Sequence, residues 1–516
     1  MLNRRRMIRL SALGLAGAAT ARSALAEAFQ RARVKKKEPV CGPGALFLAA
    51  SQSVAKSSPV LEPFVDPLRI PPVLNPIVRG KTHFYTMTMK AGLAKLHRDL
   101  PTTVVWGFNG LYPGPTIRVP KGSPTVVRQV NQLPDHAGHD GGMAPLPAVH
   151  LHGAHVAPLD DGHPREAIPA FGFRDYHYPN HQRGGTLFYH DHSHGMTGHH
   201  VYQGLAGAYI IEDPAEAELN LPKGEFDIPL LIQDRVFNED GSLYYDLTRE
   251  VQELGMHGDC LLVNGVVLPH FKVAARKYRF RIVNASNARI YELQLSSGQP
   301  LIQIGTDGGL LPKPASRGAI TLAPSERADV VIDFGLHAVG TQIQLRNCPN
   351  CTDRASTLLR FDVDRTADDD SDLPDCLSSW ENLPVDGQTT TRQFTLDRQI
   401  GPNGSSIWLI NGQTFGMDNP PLVQVPHGAV ERWRFVNPTS HHHPVHIHLV
   451  QFQVLEINGV SQDPSRHGWK DTFVAPPNGQ ILLAARFSGY TGRYLLHCHN
   501  LEHEDLGMMG DYEITS

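Results

Sequence analysis

Asn109-Gly110, running through Pro113-Gly114-Pro115-Thr116-Ile117-Arg118-Val119 to Val130-Asn131, reads as a tight reversal followed by two strands, the second closing on asparagine. Asn-Gly favours such a reversal because both residues tolerate positive φ. The phrase returns twice. Asn264-Gly265 leads through Phe271-Lys272-Val273 to Ile282-Val283-Asn284, and Asn411-Gly412 leads through Leu422-Val423-Gln424-Val425 to Phe435-Val436-Asn437. Asn-to-Asn intervals of 22, 20 and 26 residues mark one unit used three times.

Around the repeat, short Val/Ile/Thr/Tyr/Phe runs are broken by Gly, Pro and Asn, with 47 Gly, 40 Pro and little sustained helical period. That texture predicts an all-β chain of consecutive Greek-key β-sandwiches. The three copies place them at about 61–215, 220–370 and 385–516, with the acidic stretch Asp368 to Asp375 as the linker between the last two. A chain of 516 residues exceeds what one core organises, which agrees with several domains. The formal charge is -4 and no basic block recurs after the N-terminal region, so no nucleic acid partner is expected.

The N-terminal region reads as an address. Asn3-Arg4-Arg5-Arg6-Met7-Ile8-Arg9 carries a twin arginine, a weakly apolar run follows from Leu10, and Ala24-Leu25-Ala26 is a small-x-small cleavage pattern. Residues 1–26 are therefore expected to be a twin-arginine signal peptide, handled by the twin-arginine export machinery, and residues 27–60 a flexible tether. The apolar run is shorter than the roughly 20 residues a membrane span needs, so no span is expected. The expectation is an acidic, periplasmic or extracellular monomer. Six cysteines suit an oxidising compartment. Apart from Cys498 there are Cys41, Cys260, Cys348, Cys351 and Cys376, an odd number, and a disulfide from Cys260 to Cys348 or Cys351 is expected.

Histidine separates the copies. The first carries His150-Leu-His152-Gly153 and His190-Asp-His192; the third carries His443-Pro-Val-His446-Ile-His448 and His497-Cys498-His499, followed by His503, Glu504 and Met508. The second has Asn284-Ala-Ser-Asn where the others place imidazoles, so the middle domain is expected to be structural. Random placement of 28 His would give about 1.5 His-x-His pairs. Six occur, clustered in the first and third copies.

Strand parity sorts these ligands. Period two sends His497 and His499 to one face and the Cys498 sulfur to the other. His150 with His152, His190 with His192, and His446 with His448 form three more same-face pairs, while His443 sides with Cys498. Eight imidazoles exceed what one ion takes, so they imply a metal cluster between the first and third domains. Cys498, His443 and His503, with Met508 as a long axial ligand, match the donor set of a blue copper electron-transfer centre.

With these residues in place, the chain resembles the multicopper oxidases over nearly all its length after residue 60. The resemblance is nearest to bacterial spore-coat laccases and bilirubin oxidases, through His150-Leu-His-Gly, Phe188-Tyr-His-Asp-His192, the run from Lys277-Tyr-Arg-Phe-Arg to Gly305-Thr-Asp-Gly-Gly-Leu-Leu-Pro312, and the terminal His-Cys-His block. Phe64-Val-Asp-Pro-Leu-Arg-Ile-Pro-Pro-Val73 also resembles phenoxazinone synthases. The resemblance implies three cupredoxin domains and four copper ions. One is a type 1 copper on His443, Cys498, His503 and Met508. One is a type 2 copper on His150 and His446. The type 3 pair takes His152, His190 and His499 on one side and His192, His448 and His497 on the other. It further implies that four one-electron oxidations at the type 1 copper are coupled to reduction of dioxygen to water, with Glu504 and Asp161 assisting proton delivery.

Substrate would dock at the edge of His503, on a loop after the strand. A small phenol or aromatic amine is the expected reductant; bilirubin or o-aminophenol is the near alternative. Oxidation of Cu(I) is a second class, against which stands the absence of any methionine cluster between Asp353 and Trp380. A copper-free scaffold of the same fold is the third, and retention of every ligand argues against it. His155, His194, His441 and His442 offer alternative registers and are expected to be surface or outer-shell groups; Met509 is the alternative to Met508.

Overall fold

The computed structural model describes residues 56–134, 145–347 and 354–516. Its strands form six sheets, two in each of three successive stretches of chain. The first stretch pairs a five-stranded sheet built on Thr82–Ala94 with a four-stranded sheet ordered Gly114–Pro120, Ala206–Glu212, Gly185–Asp191, Val149–His152. The second pairs sheets of seven and five strands, the third sheets of six and five. Each stretch encloses its own apolar core, around Phe108 and Tyr176, Phe280 and Phe361, and Phe435 and Phe452 respectively.

The repeat in the sequence is a repeat in the backbone. Asn109, Asn264 and Asn411 all adopt left-handed φ (59, 50 and 53°), as do the glycines that follow them. Each asparagine carboxamide accepts from the backbone N–H of the preceding long strand, at Thr88, Leu231 and Thr395 (2.9, 2.9 and 2.8 Å). A side chain here substitutes for a missing ladder partner, which is why Asn rather than another turn residue stands at the site. In each copy the strand that closes the phrase pairs in parallel with that long strand: Thr125–Gln132 with Thr82–Ala94, Lys277–Asn284 with Asp227–Arg235, Val430–Asn437 with Thr391–Ile400. The closing residues Asn131, Asn284 and Asn437 are buried, and their Nδ2 groups donate to loop carbonyls, among them Pro145, Arg289 and His441. In the first and third copies the loops so held lead into the first His-x-His pair of that sandwich.

Alternation within the strands follows one-sided burial. In Val430–Asn437, Trp433 and Phe435 face the core while Arg432 and Arg434 turn outward. One expected boundary needs amendment. The chain is tied down before residue 60, because Ser58 is buried and its N–H donates to Asp259 (2.9 Å); Phe64 and Leu68 then donate to Leu268 and His270, so this strap lies along the second sandwich before the first begins. The acidic stretch expected to link the last two sandwiches is docked: the Asp369 carboxylate accepts from the Lys277 N–H (2.9 Å) and Arg276 (3.2 Å), and Leu377 packs with Leu221 and Leu310.

The expected signal peptide, Cys41, Cys348 and Cys351 lie outside the described residues. Cys260 is buried and Cys376 exposed. Among the described residues no helix is long and apolar enough to cross a membrane.

Candidate metal centres

The strand Gly492–Cys498 pairs with His443–Ile447 in a register that sets His446 against His497 and Val445 against Cys498. Val149–His152 pairs with Gly185–Asp191, setting His150 against His190. Each of His192, His448 and His499 lies one residue beyond its strand. The ladders stop where the imidazoles gather, so only His150 and His152 hold the same-strand relation that parity predicts for all four pairs.

All eight of these imidazoles are buried. Their hydrogen bonds determine which nitrogen each can offer, because a carbonyl oxygen only accepts and so fixes the proton on its partner nitrogen. His150, His190, His446 and His497 donate from Nδ1 to the carbonyls of Asp161 (2.6 Å), Asp191 (2.8 Å), Asp471 (2.8 Å) and Cys498 (3.1 Å). His448 donates from Nδ1 to the Asp161 carboxylate (2.7 Å), and His152 from Nε2 to Asp471 (3.1 Å). Bare lone pairs remain on Nε2 of five rings and on Nδ1 of His152. Both ring nitrogens of His499 are without a partner. The Nε2 atoms of His192 and His448 lie 3.3 and 3.2 Å from that of His497. The lone pairs of His448 and His497 face one another in a dry interior and repel unless a cation sits between them, and each unpaired buried nitrogen costs about 1–3 kcal/mol. Burial holds most of the eight well below the usual histidine range, His190 at about 4, so they are neutral and ready to ligate.

A second centre lies on the other face of the Cys498 strand. His443 Nδ1 and His503 Nδ1 are 3.4 and 3.8 Å from Cys498 Sγ and 3.3 Å from each other. Thr439 Oγ1 gives its proton to Asn437 and so accepts from His443 Nε2 (2.9 Å), while His503 Nε2 donates to the Glu253 carbonyl (2.9 Å). Both rings therefore present a bare Nδ1, with their outer nitrogens locked as metal-ligating histidines usually are. Burial pushes the Cys498 thiol up and holds His503 down at about 3, so a soft cation is what would make the cysteine a thiolate. Met508 shares the buried cluster of Cys498, whereas Met509 packs with Phe415 and Leu495.

Acids border the eight-histidine centre. Asp161 is fully buried, and burial raises its carboxyl well above the usual range. It ties His150 of the first sandwich to His448 of the third, and its Oδ1 has no partner. Glu504 lies on the short helix Leu501–Asp505, 3.0 Å from His497 Nδ1 and 3.4 Å from His192 Nδ1 but out of hydrogen-bond alignment. His155, His194, His441 and His442 join none of the metal-capable groups among the described residues.

One expectation is overturned by the packing around His503. It lies on the helix Leu501–Asp505, capped by Asn500, rather than on a loop, and is only 1% exposed. The helix Arg249–Leu254 lies against it, and Trp408 stacks on its ring at 3.9 Å. The edge of the His503 ring is therefore covered rather than bare. Residues that sequence reasoning missed are Trp408, Glu253 and Arg398 here, and Asp471, Thr472 and Arg327 at the larger centre. None carries a local signal, because each acts on a ligand distant in sequence.

Three stacked sandwiches with a thiolate-imidazole-thioether set one peptide away from eight convergent imidazoles define a copper oxidoreductase. Two sequence profiles described as multicopper oxidase match residues 94–216 and 382–516. The chain is 39% identical to a laccase of Bacillus subtilis over 88% of its length and 99% of the relative's. It is 35% identical to a bilirubin oxidase of Albifimbria verrucaria, over 90% and 83%. The McoA multicopper oxidase of Aquifex aeolicus superimposes with a TM-score of 0.77 at 33% identity, covering 87% of this chain and 99% of that one. The chain belongs to the multicopper oxidase family.

Proposed function

We propose that this enzyme is a laccase-type oxidase of phenols and aromatic amines, holding four coppers in the arrangement the resemblance implies. The observation that carries the reading is the set of bare, buried imidazole nitrogens converging one peptide away from the Cys498 sulfur. The type 1 copper would take His443, Cys498, His503 and Met508. The remaining three would share His150 and His446; His152, His190 and His499; and His192, His448 and His497. Bound copper supplies one-electron acceptance at the first centre and dioxygen reduction at the second.

The residues divide the remaining tasks. An electron on the Cys498 sulfur has a covalent path through one peptide to His497, shortened by the bond from His497 Nδ1 to the Cys498 carbonyl (3.1 Å). Glu504, beside His497 and His192, and Asp161, beside His448, are placed to hold protons at the centre where water forms. A substrate phenol meets the rim formed by Glu253, Arg398 and His441, since Glu253 is half-exposed and ion-paired to Arg398. The identity to a bilirubin oxidase supports bilirubin as a second reductant. The Arg4-Arg5 block and the Ala24-Leu25-Ala26 site support export by the twin-arginine route.

The test is oxygen uptake by the copper-loaded protein with a phenol, an aromatic amine, bilirubin and Cu(I) offered separately. Uptake with the phenol and amine is expected; uptake with Cu(I) alone overturns the reading.

A further inference from the structure

The middle sandwich supplies no imidazole to either centre, yet it reaches the larger one. Arg327 opens the strand Arg327–Asp333 and is 0% exposed. Its five N–H donors are all used: Nε to the Thr186 carbonyl (2.9 Å), Nη1 to Asp471 Oδ1 (2.6 Å) and the Ser325 carbonyl (3.1 Å), Nη2 to Asp471 Oδ2 (2.6 Å) and the Asp307 carbonyl (3.2 Å). Asp471, thus gripped at both oxygens, accepts from His152 Nε2 through Oδ1, and its backbone carbonyl holds His446 Nδ1. Ser325, at a left-handed φ of 70°, sets its hydroxyl 2.8 Å from that of Thr472, which lies 3.2 Å from His152 Nε2. One arginine of the second sandwich, one aspartate of the third and one histidine of the first form a continuous buried chain. Gly153 leaves room for it, since a Cβ there would stand 2.6 Å from Arg327 Nη2 and 2.7 Å from Asp471 Oδ2.

His152 is the exception among the cluster imidazoles whose outer hydrogen bond is clear: five offer Nε2, and it offers Nδ1. The other tautomer would turn its N–H inward and its lone pair toward a carboxylate. Asp471 carries a second hazard, because its carboxylate and the rings of His152 and His446 have donor atoms within 4.8 Å of one another and could themselves hold a cation. A bidentate guanidinium prevents this by occupying both oxygens in a fixed plane.

We propose that Arg327 and Asp471 are positioning residues: Arg327 fixes the Asp471 carboxylate so that it selects the Nε2–H tautomer of His152 and is itself kept out of metal coordination. The proposal rests on the reading of the eight-histidine centre as a copper site, and its test separates the two.

In metal-free full-length protein, side-chain 15N spectra of labelled histidine, with the His152 signal identified by its loss in His152→Gln, report the tautomer directly. A proton on Nε2 in the wild type, and a mixed or reversed tautomer in Asp471→Asn, are expected; a proton on Nδ1 in the wild type overturns the proposal. In copper-loaded protein, Arg327→Lys keeps the charge but loses the fork. It should release copper from the eight-histidine centre to a chelator roughly 10–100-fold faster, the usual effect of losing an outer-shell partner, while the blue absorption of the Cys498 centre is unchanged. Wild-type retention in Arg327→Lys overturns the proposal. A wild type that binds no copper at the eight-histidine centre sinks the copper reading, while the tautomer result still decides the Arg327–Asp471 role.

Discussion

At the scale of single residues, the two centres are tuned by what holds the far nitrogen of each ring. Carbonyls of Asp161, Asp191, Asp471 and Cys498 perform this for four histidines, so those ligands are oriented by backbone that side-chain substitution leaves in place. Asp161 also holds the far nitrogen of His448 through its carboxylate, whereas Glu504 lies beside His497 and His192 without a hydrogen bond to either. Glu504→Gln keeps the shape and removes the group proposed to hold protons. It should slow dioxygen reduction by roughly 10²-fold, in line with loss of a general acid. Bleaching of the blue band by substrate under anaerobic conditions should stay at the wild-type rate. Rapid mixing with and without oxygen checks both; equal slowing of the two halves would refute the proton role. Cys498→Ser should abolish the blue band altogether while leaving copper on the eight-histidine side.

At the scale of elements, the helix Arg249–Leu254 covers the His503 ring. It is fastened by Gln252 to Ser406 and Trp408, by Leu254 to Asn500, and by the Glu253–Arg398 ion pair. The last is partly exposed and so contributes about 1 kcal/mol or less. Replacing residues 249–254 by a short Gly-Ser turn should therefore bare the His503 ring and lower KM for bulky phenols more than for small ones. Steady-state kinetics with two phenols of different size reads this out; unchanged KM for both would mean that the rim is elsewhere. This element also marks where sequence reasoning ended. Asn109, Asn264 and Asn411 disclosed three sandwiches because a turn imposes its residue locally, and the His-x-His pairs pointed to the buried imidazole cluster because their spacing is local too. Nothing local tells that Glu253 will cover His503 or that Arg327 will reach Asp471. Those contacts join residues more than a hundred positions apart, and only packing creates them. The strand ends were misjudged for the same reason: His192, His448 and His499 leave the ladder because a cluster, not a sheet, claims them.

At the scale of the whole molecule, stability is linked to protons and to copper. Burial depresses the folded-state pKa of most of the cluster histidines and of His443 and His503 below the unfolded value near 6.5. The unfolded chain then binds more protons between those values, so the stability of the copper-free protein is full above about pH 6.5 and falls as pH drops toward 4. Scanning calorimetry of metal-free protein should show its Tm declining through that window, and copper should raise Tm at pH 7 because it binds only the folded state. A flat Tm between pH 7 and 4 would contradict the neutral, buried assignment of these rings. The eight imidazoles carry one more consequence. They come from residues 150 to 192 and again from 446 to 499, so the larger pocket does not exist until the last stretch of chain has been made and has docked against the first. A ribosome that stops before residue 497, or a protease that cuts ahead of the strand Gly492–Cys498, yields a product whose larger pocket lacks its last imidazoles. Copper occupancy thus certifies an intact polypeptide, and a cell that discards colourless molecules would be discarding the unfinished ones.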